Sequence, residues 1–232
     1  MKKEDIETAL RDIADPEITE HSQRFFKTGK GEYAEGDRFL GIRVPNIRKV
    51  ARQFKQLSLS EIEELLHSDF HEERLCALII MVNRVKKANP EEQKKLYNLY
   101  MENTKYINNW DLVDTSAEHV VGRYLIGKDR SILYSLAQSN DLWERRIAIM
   151  STYHFIKNND FADTLAIAEL LLDDEHDLIH KASGWMLREV GNRDRETEER
   201  FLDQHVQQMP RTMLRYAIEK FPEEKRQQYL KL

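Results

Sequence analysis

The sequence predicts an all-α fold, and three observations support this prediction. The chain of 232 residues contains only 8 glycines and 5 prolines, and 33% of its residues are charged, which is typical of a helical globular protein. Apolar residues recur at spacings of three and four in several segments, whereas strand-like alternation is nearly absent. Similar helical segments recur with a period near 35 residues, which indicates stacked helix pairs.

The helical elements are delimited by local signals along the chain. The clearest periodic patterns lie at residues 71–88, 140–156 and 176–190. Signals for helix starts lie between and beside these patterns, at Ser58 and Ser60, Asn89-Pro90, Asn140 and Asp141, and Pro210. Breaks of this frequency predict many short antiparallel helices.

The repeat becomes visible when the helical patterns are superposed. Equivalent positions, separated by 36, 36, 35 and 34 residues, are occupied by Arg74, Trp110, Arg146, Lys181 and Arg215. A two-helix unit of this length cannot bury its apolar face alone, so neighbouring units stack. We therefore expect one domain, residues 1–232, that forms a curved α-solenoid. Because the equivalent residues are large and mostly cationic, we expect that side of the helices to face a polar partner.

Charge is distributed unevenly. The net charge is -5, but residues 24–55 contain nine Lys or Arg, including Arg43 and Arg48, and only three acidic residues. Such segregation can provide one face for a polyanion, and its alternative is an ordinary solvated helix face.

Several classes of protein are excluded or disfavoured. The sequence has no run of 18 apolar residues and no secretory leader, so we expect a cytoplasmic protein with no membrane contact. The single cysteine, Cys76, lies in an apolar run and excludes an intrachain disulfide. His176 and His180 have the i, i+4 spacing of metal ligands but lack a third ligand. We expect no metal, no cofactor and a monomer.

The candidate site residues lie on the repeated helices. Trp110 and Asp114 are four residues apart, and Lys181 is followed at the same side of its helix by Trp185 and Arg188. Indoles can pack on sugars or bases, and cations can bind phosphates. The solenoid would bring these side chains onto one concave surface that suits a nucleotide.

Four segments carry a resemblance to a known family: "FLGIRVPNIRKVAR" (39–52), "NNWDLVD" (108–114), "LWERRIAI" (142–149) and "KASGWMLRE" (181–189). They resemble the AlkD-type alkylpurine DNA glycosylases, which are built of HEAT-like repeats and release cationic N3- and N7-alkylated purines from double-stranded DNA. By position, Trp110 and Trp185 match the family's two concave-face tryptophans, Asp114 matches its catalytic aspartate, and Arg146 matches its DNA-contacting arginine. We also expect DNA contacts from Lys181, Arg188, Arg215, Phe25, Arg43 and Arg48.

The chemistry that the resemblance implies agrees with these residue types. An alkylated purine carries a positive charge and leaves readily, so no general acid is required. The sugar then becomes oxocarbenium-like, and an ionised Asp114 would stabilise it and orient a water. The family acts without a deep base-specific pocket, unlike enzymes that flip bases. Trp110 would pack on the deoxyribose.

The sequence departs from the family near its N-terminus. Phe25 falls where the family has an aromatic hydroxyl, and residues 27–39 form a glycine-containing insertion that we expect to be a loop. Tyr33, within the insertion, is the candidate to supply the missing hydroxyl contact to DNA.

Two other functions remain open at this point. A peptide-binding solenoid scaffold would not bind DNA, whereas a non-catalytic binder of damaged or branched DNA would bind without needing Asp114. For Lys181, binding a phosphate and forming a Schiff base are both chemically possible, and we favour the phosphate.

Overall fold

The computed structural model describes residues 1–232 and is entirely helical apart from turns, loops and one isolated bridge between Arg38 and Phe70. Residue contacts divide the chain into two compact units, Met1–Val120 and Val121–Leu232. The all-α prediction is therefore confirmed. The assignment of the whole chain to one domain stays a prediction.

The first unit contains seven α-helices and a short 3₁₀ turn at Thr104–Tyr106. The helices are α1 (Lys3–Arg11), α2 (Pro16–Phe25), α3 (Val44–Gln53), α4 (Leu59–Leu66), α5 (His71–Val85), α6 (Pro90–Glu102) and α7 (Trp110–Ala117). α5 is the central helix of this unit, since it packs against α3, α4 and α7. Its 15 residues include a continuous buried run from His71 to Val82.

The second unit contains nine helical segments and a 3₁₀ turn at Ile218–Lys220. The helices are α8 (Arg123–Leu125), α9 (Ser131–Ala137), α10 (Leu142–Ser151), α11 (Tyr153–Ile156), α12 (Ala162–Leu170), α13 (Asp177–Gly191), α14 (Arg195–His205), α15 (Arg211–Ala217) and α16 (Glu223–Lys231). A π-helical turn at Glu118–Gly122 precedes α8. α13 is central here, because it packs against α10, α12, α14 and α15.

The helix starts follow the signals read from the sequence. The Ser58 hydroxyl accepts a hydrogen bond from the N–H of Glu61, and the Asn89 side chain accepts one from the N–H of Glu92. Asp141 caps α10 in the same way. Each cap satisfies an N–H group that has no partner inside its helix. The predicted starts of α4, α6 and α10 are therefore confirmed.

One predicted helix is interrupted. The pattern at residues 140–156 predicted a single helix, whereas the structure ends α10 at Ser151 and begins α11 at Tyr153. The Thr152 hydroxyl donates to the carbonyl of Ile149 at 2.7 Å, and a hydroxyl that bonds back to the preceding turn in this way bends a helix.

The repeated helices stack within each unit. α5 packs against α7 in the first unit, and α13 packs against both α10 and α15 in the second. Gly184 permits the close approach of α15, because a Cβ atom at this position would lie 2.3 Å from the carbonyl oxygen of Met213. The stacking of equivalent helices that the period near 35 residues predicted is present in both units.

Candidate functional site

Trp110 and Asp114 lie on one side of α7. The helix begins at Trp110 because the side chain of Asn109, which is buried, accepts a hydrogen bond from the Trp110 N–H at 2.8 Å. Asp114 follows one turn later and is half-buried, like Trp110. Asp114 therefore lies inside the helix and is not its N-terminal cap.

Both side chains line a cavity of about 520 Å³ within the first unit, which we call the Trp110 cavity. Helices α2, α3, α5 and α7 supply most of its wall. Its lining residues are Phe25, Phe26, Val44, Arg48, Ile79, Val82, Asn83, Lys86, Trp110, Asp111, Asp114, Thr115 and His119. The cavity thus joins aromatic rings, a row of apolar side chains, carboxylates and two cations.

Aromatic rings hold the indole of Trp110. The ring of Phe26 stacks on it with a centroid separation of 5.5 Å and an interplanar angle of 24°, and the ring of Phe25 meets it edge-on at 6.0 Å. Phe25 is 55% exposed, so an apolar ring projects at the edge of the cavity. Tyr33 is half-buried and is not among the lining residues. Its contact with DNA, like that of Phe25, stays a prediction.

A buried charged network lies behind the aromatic rings. The His71 Nε2 is 2.8 Å from the Asp111 carboxylate, its Nδ1 is 3.0 Å from Asp37, and Arg74 donates to Asp37 at 2.7 Å. Burial alone would lower the pKa of His71, but the carboxylates of Asp111 and Asp37 outweigh it and raise the pKa to about 9. His71 is therefore an imidazolium at neutral pH, and it ties the residue after Trp110 to the glycine-containing segment.

The residues that directly follow this segment are held on α5 by a second carboxylate. Three consecutive backbone N–H groups, of Leu40, Gly41 and Ile42, donate to the buried carboxylate of Glu72 at 2.8 to 3.1 Å. Gly41 has φ of 80°, and a Cβ atom there would lie 2.0 Å from the carbonyl oxygen of Asp15. The "FLGIRVP" segment is therefore held between α2 and α5, which explains the need for glycine at this position.

In the second unit, α13 carries three of the predicted contact residues. Trp185 is half-buried, its Nε1 donates to Glu189 at 3.2 Å, and its ring lies 6.2 Å from that of Tyr153. Lys181 is 2.6 Å from Asp177, and Arg188 pairs with Glu219. Arg215 is exposed on α15. A ligand can contact the exposed parts of these side chains. To bind Lys181 or Arg188 fully, it would have to replace the carboxylate that each of them pairs with.

Two of the equivalent cations are buried. Arg74 is ion-paired with Asp37, so the expectation that this position faces outward is wrong for Arg74. Arg146 is 4% exposed, and its guanidinium donates to the carbonyl of Leu178 in α13. In this structure Arg146 supports the packing of α10 on α13, and its contact with DNA stays a prediction. Arg43 and Arg48 are exposed.

The geometry defines an all-helical repeat protein with a tryptophan, a carboxylate and cations around one cavity, and sequence comparison agrees with this class. The sequence model of a family described as DNA alkylation repair enzyme matches residues 6–221, and the chain belongs to that family. Membership implies DNA as the class of substrate. No curated protein sequence matches the chain.

A solved structure shares the fold. It is described as a predicted DNA alkylation repair enzyme from Enterococcus faecalis, and it superposes with a TM-score of 0.71 at 17% sequence identity. The alignment covers 90% of this chain and 97% of that one. None of the helices combines the length and the apolar character that crossing a membrane requires.

Proposed function

We propose that this protein is a monofunctional DNA glycosylase that hydrolyses the N-glycosidic bond of cationic N3- and N7-alkylated purines in duplex DNA. The observation that carries the proposal is the placement of Asp114 one helical turn from the half-buried Trp110, in a cavity that also presents Arg48 and Lys86. The family to which the chain belongs supports the same substrate class.

In the proposed reaction the bond between C1′ of the deoxyribose and the purine nitrogen breaks. The bonding electrons neutralise the charge of the alkylated purine, which leaves without a proton donor. The ionised Asp114 stabilises the positive charge that develops on the sugar and orients a water, which adds to C1′ and loses its proton to the solvent. The products are the free base and an abasic site in an intact strand.

The surrounding residues have supporting roles in this proposal. The indole of Trp110 packs against the deoxyribose, while Arg48 and Lys86 neutralise neighbouring phosphates. We assign Trp185 to a second DNA contact, and Lys181, Arg188, Arg215 and Arg43 to phosphates. Arg146 would contribute only after exchanging its bond to Leu178, and the short Lys181–Asp177 pair favours phosphate binding over a nucleophilic amine.

The proposal is tested with a duplex that carries 7-methylguanine. Incubation with the protein should release the free base, and the strand should break only after alkali is added, because abasic sites are alkali-labile and no Schiff base forms. Binding of the duplex without base release would favour the non-catalytic DNA binder. No binding at low salt would favour a protein-binding scaffold.

The tryptophans give a prediction that separates a contact role from a packing role. Trp110→Ala and Trp185→Ala should fold and lose less stability than truncation of a buried tryptophan causes, but excise 7-methylguanine about 10 to 100 times more slowly, since an aromatic contact with a nucleotide contributes roughly 1 to 3 kcal/mol. Trp143 is the internal comparison, because it is 7% exposed, and its truncation should cost roughly 3 to 5 kcal/mol of stability.

The measurements are thermal unfolding of all three variants and single-turnover excision. If Trp110→Ala or Trp185→Ala lowers the melting temperature as much as Trp143→Ala does, that tryptophan serves packing and its proposed contact role is lost.

A further inference from the structure

A second cavity in the first unit, of about 820 Å³, is lined mainly by cations. They come from the C-terminal ends of α3 and α5 and the turns that follow. We call this cavity the basic groove and define it by Arg52, Lys55, Arg84, Lys86, Lys87 and Glu92. Asn83 and Lys86 line both the basic groove and the Trp110 cavity. The two cavities are therefore neighbours that share a wall.

Most cations of the basic groove lack a carboxylate partner. Arg52, Lys55, Lys86 and Lys87 are exposed and form no ion pair, and Glu92 is already bonded to Arg84 at 3.1 Å. Elsewhere in the chain, many cations are paired with carboxylates, including Arg74, Lys95, Arg130, Arg145, Arg200 and Lys225. Unpaired like charges repel one another, and their concentration in one groove favours an anionic ligand.

The cations form a row with a regular spacing. Arg48, Arg52 and Lys55 are separated by four and three residues, which places them on one side of α3 and its following turn. Seven residues of helix span about 10 Å. The phosphates of a DNA strand form a continuous line of negative charge, so a row of this length can contact more than one of them. It leads from the Trp110 cavity, which Arg48 lines, into the basic groove.

We propose that the basic groove binds the phosphodiester backbone on one side of the nucleotide at the Trp110 cavity. This inference rests on the proposed function in taking duplex DNA as the ligand. It adds a directional contact: DNA on one flank of the lesion lies in the basic groove, and DNA on the other flank does not.

A purely structural role for these cations makes a different prediction. Lys86 and Lys87 directly follow α5, and Lys55 lies two residues beyond α3, so their charges also face the negative ends of two helix dipoles. If that is their only role, neutralising them lowers stability and leaves DNA binding unchanged.

The test uses the triple variant Arg52→Gln/Lys55→Gln/Lys87→Gln, whose members line the basic groove but not the Trp110 cavity. Lys94→Gln/Lys105→Gln/Lys231→Gln is the matched control, because it removes the same charge at exposed positions outside the groove. The dissociation constant for undamaged duplex DNA is measured over a range of salt concentrations. The slope of log affinity against log salt is negative. Its magnitude should decrease by about 2 to 3 in the triple variant and should remain close to the wild-type value in the control.

A second arm tests direction. Two duplexes carry 7-methylguanine near opposite ends of the same strand, so each keeps only one long flank. The triple variant should bind one of them more weakly than the wild type does, and should bind the other equally well. Equal losses on both duplexes, or a wild-type salt slope, would overturn the proposal, as would a fall in melting temperature that accounts for the loss of binding.

The two proposals fail separately in these measurements. Binding to undamaged DNA requires no chemistry, so a reduced salt slope without any base release contradicts the glycosylase and leaves the basic groove in place. Normal base release with an unchanged salt slope contradicts the basic groove alone.

Discussion

Asp114→Asn should reduce the single-turnover rate of 7-methylguanine release by at least about 10² to 10³ while DNA binding is retained. The substitution keeps the size of the side chain and one hydrogen-bonding oxygen. It removes the negative charge that stabilises the sugar cation, so the loss appears in the chemical step. Binding should tighten, because the carboxylate repels nearby phosphates in the ground state and the amide does not.

Asp12→Asn provides the control for Asp114→Asn. Asp12 is exposed at the end of α1 and does not line the Trp110 cavity. Its substitution removes the same charge outside that cavity, so this variant should excise at the wild-type rate. If Asp114→Asn also excised at that rate, Asp114 would have no part in the mechanism. If it lost stability and DNA affinity together, Asp114 would be structural.

The buried His71 predicts a loss of stability as the pH rises. Its folded-state pKa of about 9 lies above the value near 6.5 of an unfolded histidine. The stabilisation is complete below about pH 6.5 and is lost as the pH rises through about 9, because folding then requires proton uptake. A shift of this size corresponds to about 3 kcal/mol of unfolding free energy. The charged groups facing His71 are Asp111, Asp37 and, through Asp37, Arg74.

Denaturant unfolding between pH 6 and pH 10 measures this loss. His71→Gln should be less stable than the wild type at pH 6, and its stability should decline less over the same range; the decline that remains is expected from Glu198, because burial raises the pKa of that carboxyl to about 8. His21→Gln, at an exposed position on α2, should keep the wild-type pH dependence. A decline of equal size in the wild type and His71→Gln would show that other groups cause it.

The fold was predictable because its signals are local and repeated. Ser58, Asn89 and Asp141 cap helices that their own neighbours in sequence specify, and the period near 35 residues reflects the stacking of α5 on α7 and of α13 on α15. The break at Thr152 was missed, since an apolar pattern does not show whether a threonine hydroxyl bonds back to the preceding turn, as that of Thr152 does to Ile149.

The pairing of Trp110 with Asp114 was predictable for the same reason. Residues four apart on a helix share one side, and their spacing is readable without any knowledge of tertiary contacts. Phe26 was not identified, although it stacks on Trp110, because nothing in the local sequence distinguishes the inward ring of the adjacent Phe25 and Phe26.

The His71 network could not be read from the sequence. It joins His71 to Asp37, which is 34 residues away along the chain, and to Asp111, which is 40 residues away, and such separations carry no periodic signal.

The burial of two repeat-position arginines was missed for a related reason. Arg74 and Arg146 share the repeat position of Trp110, but a buried carboxylate and a backbone carbonyl receive their guanidinium groups, and only the tertiary structure reveals such partners.

The proposed reaction requires that the positive charge of the alkylated purine drives its release beside Asp114. It is tested most directly by comparing base release from duplexes that carry 7-methylguanine, which is cationic, with release from duplexes that carry hypoxanthine, a neutral purine, at saturating protein. We predict release of 7-methylguanine and no detectable release of hypoxanthine, because the proposed reaction supplies no general acid to a neutral base. Release of both bases at similar rates, or of neither from a bound duplex, would contradict it.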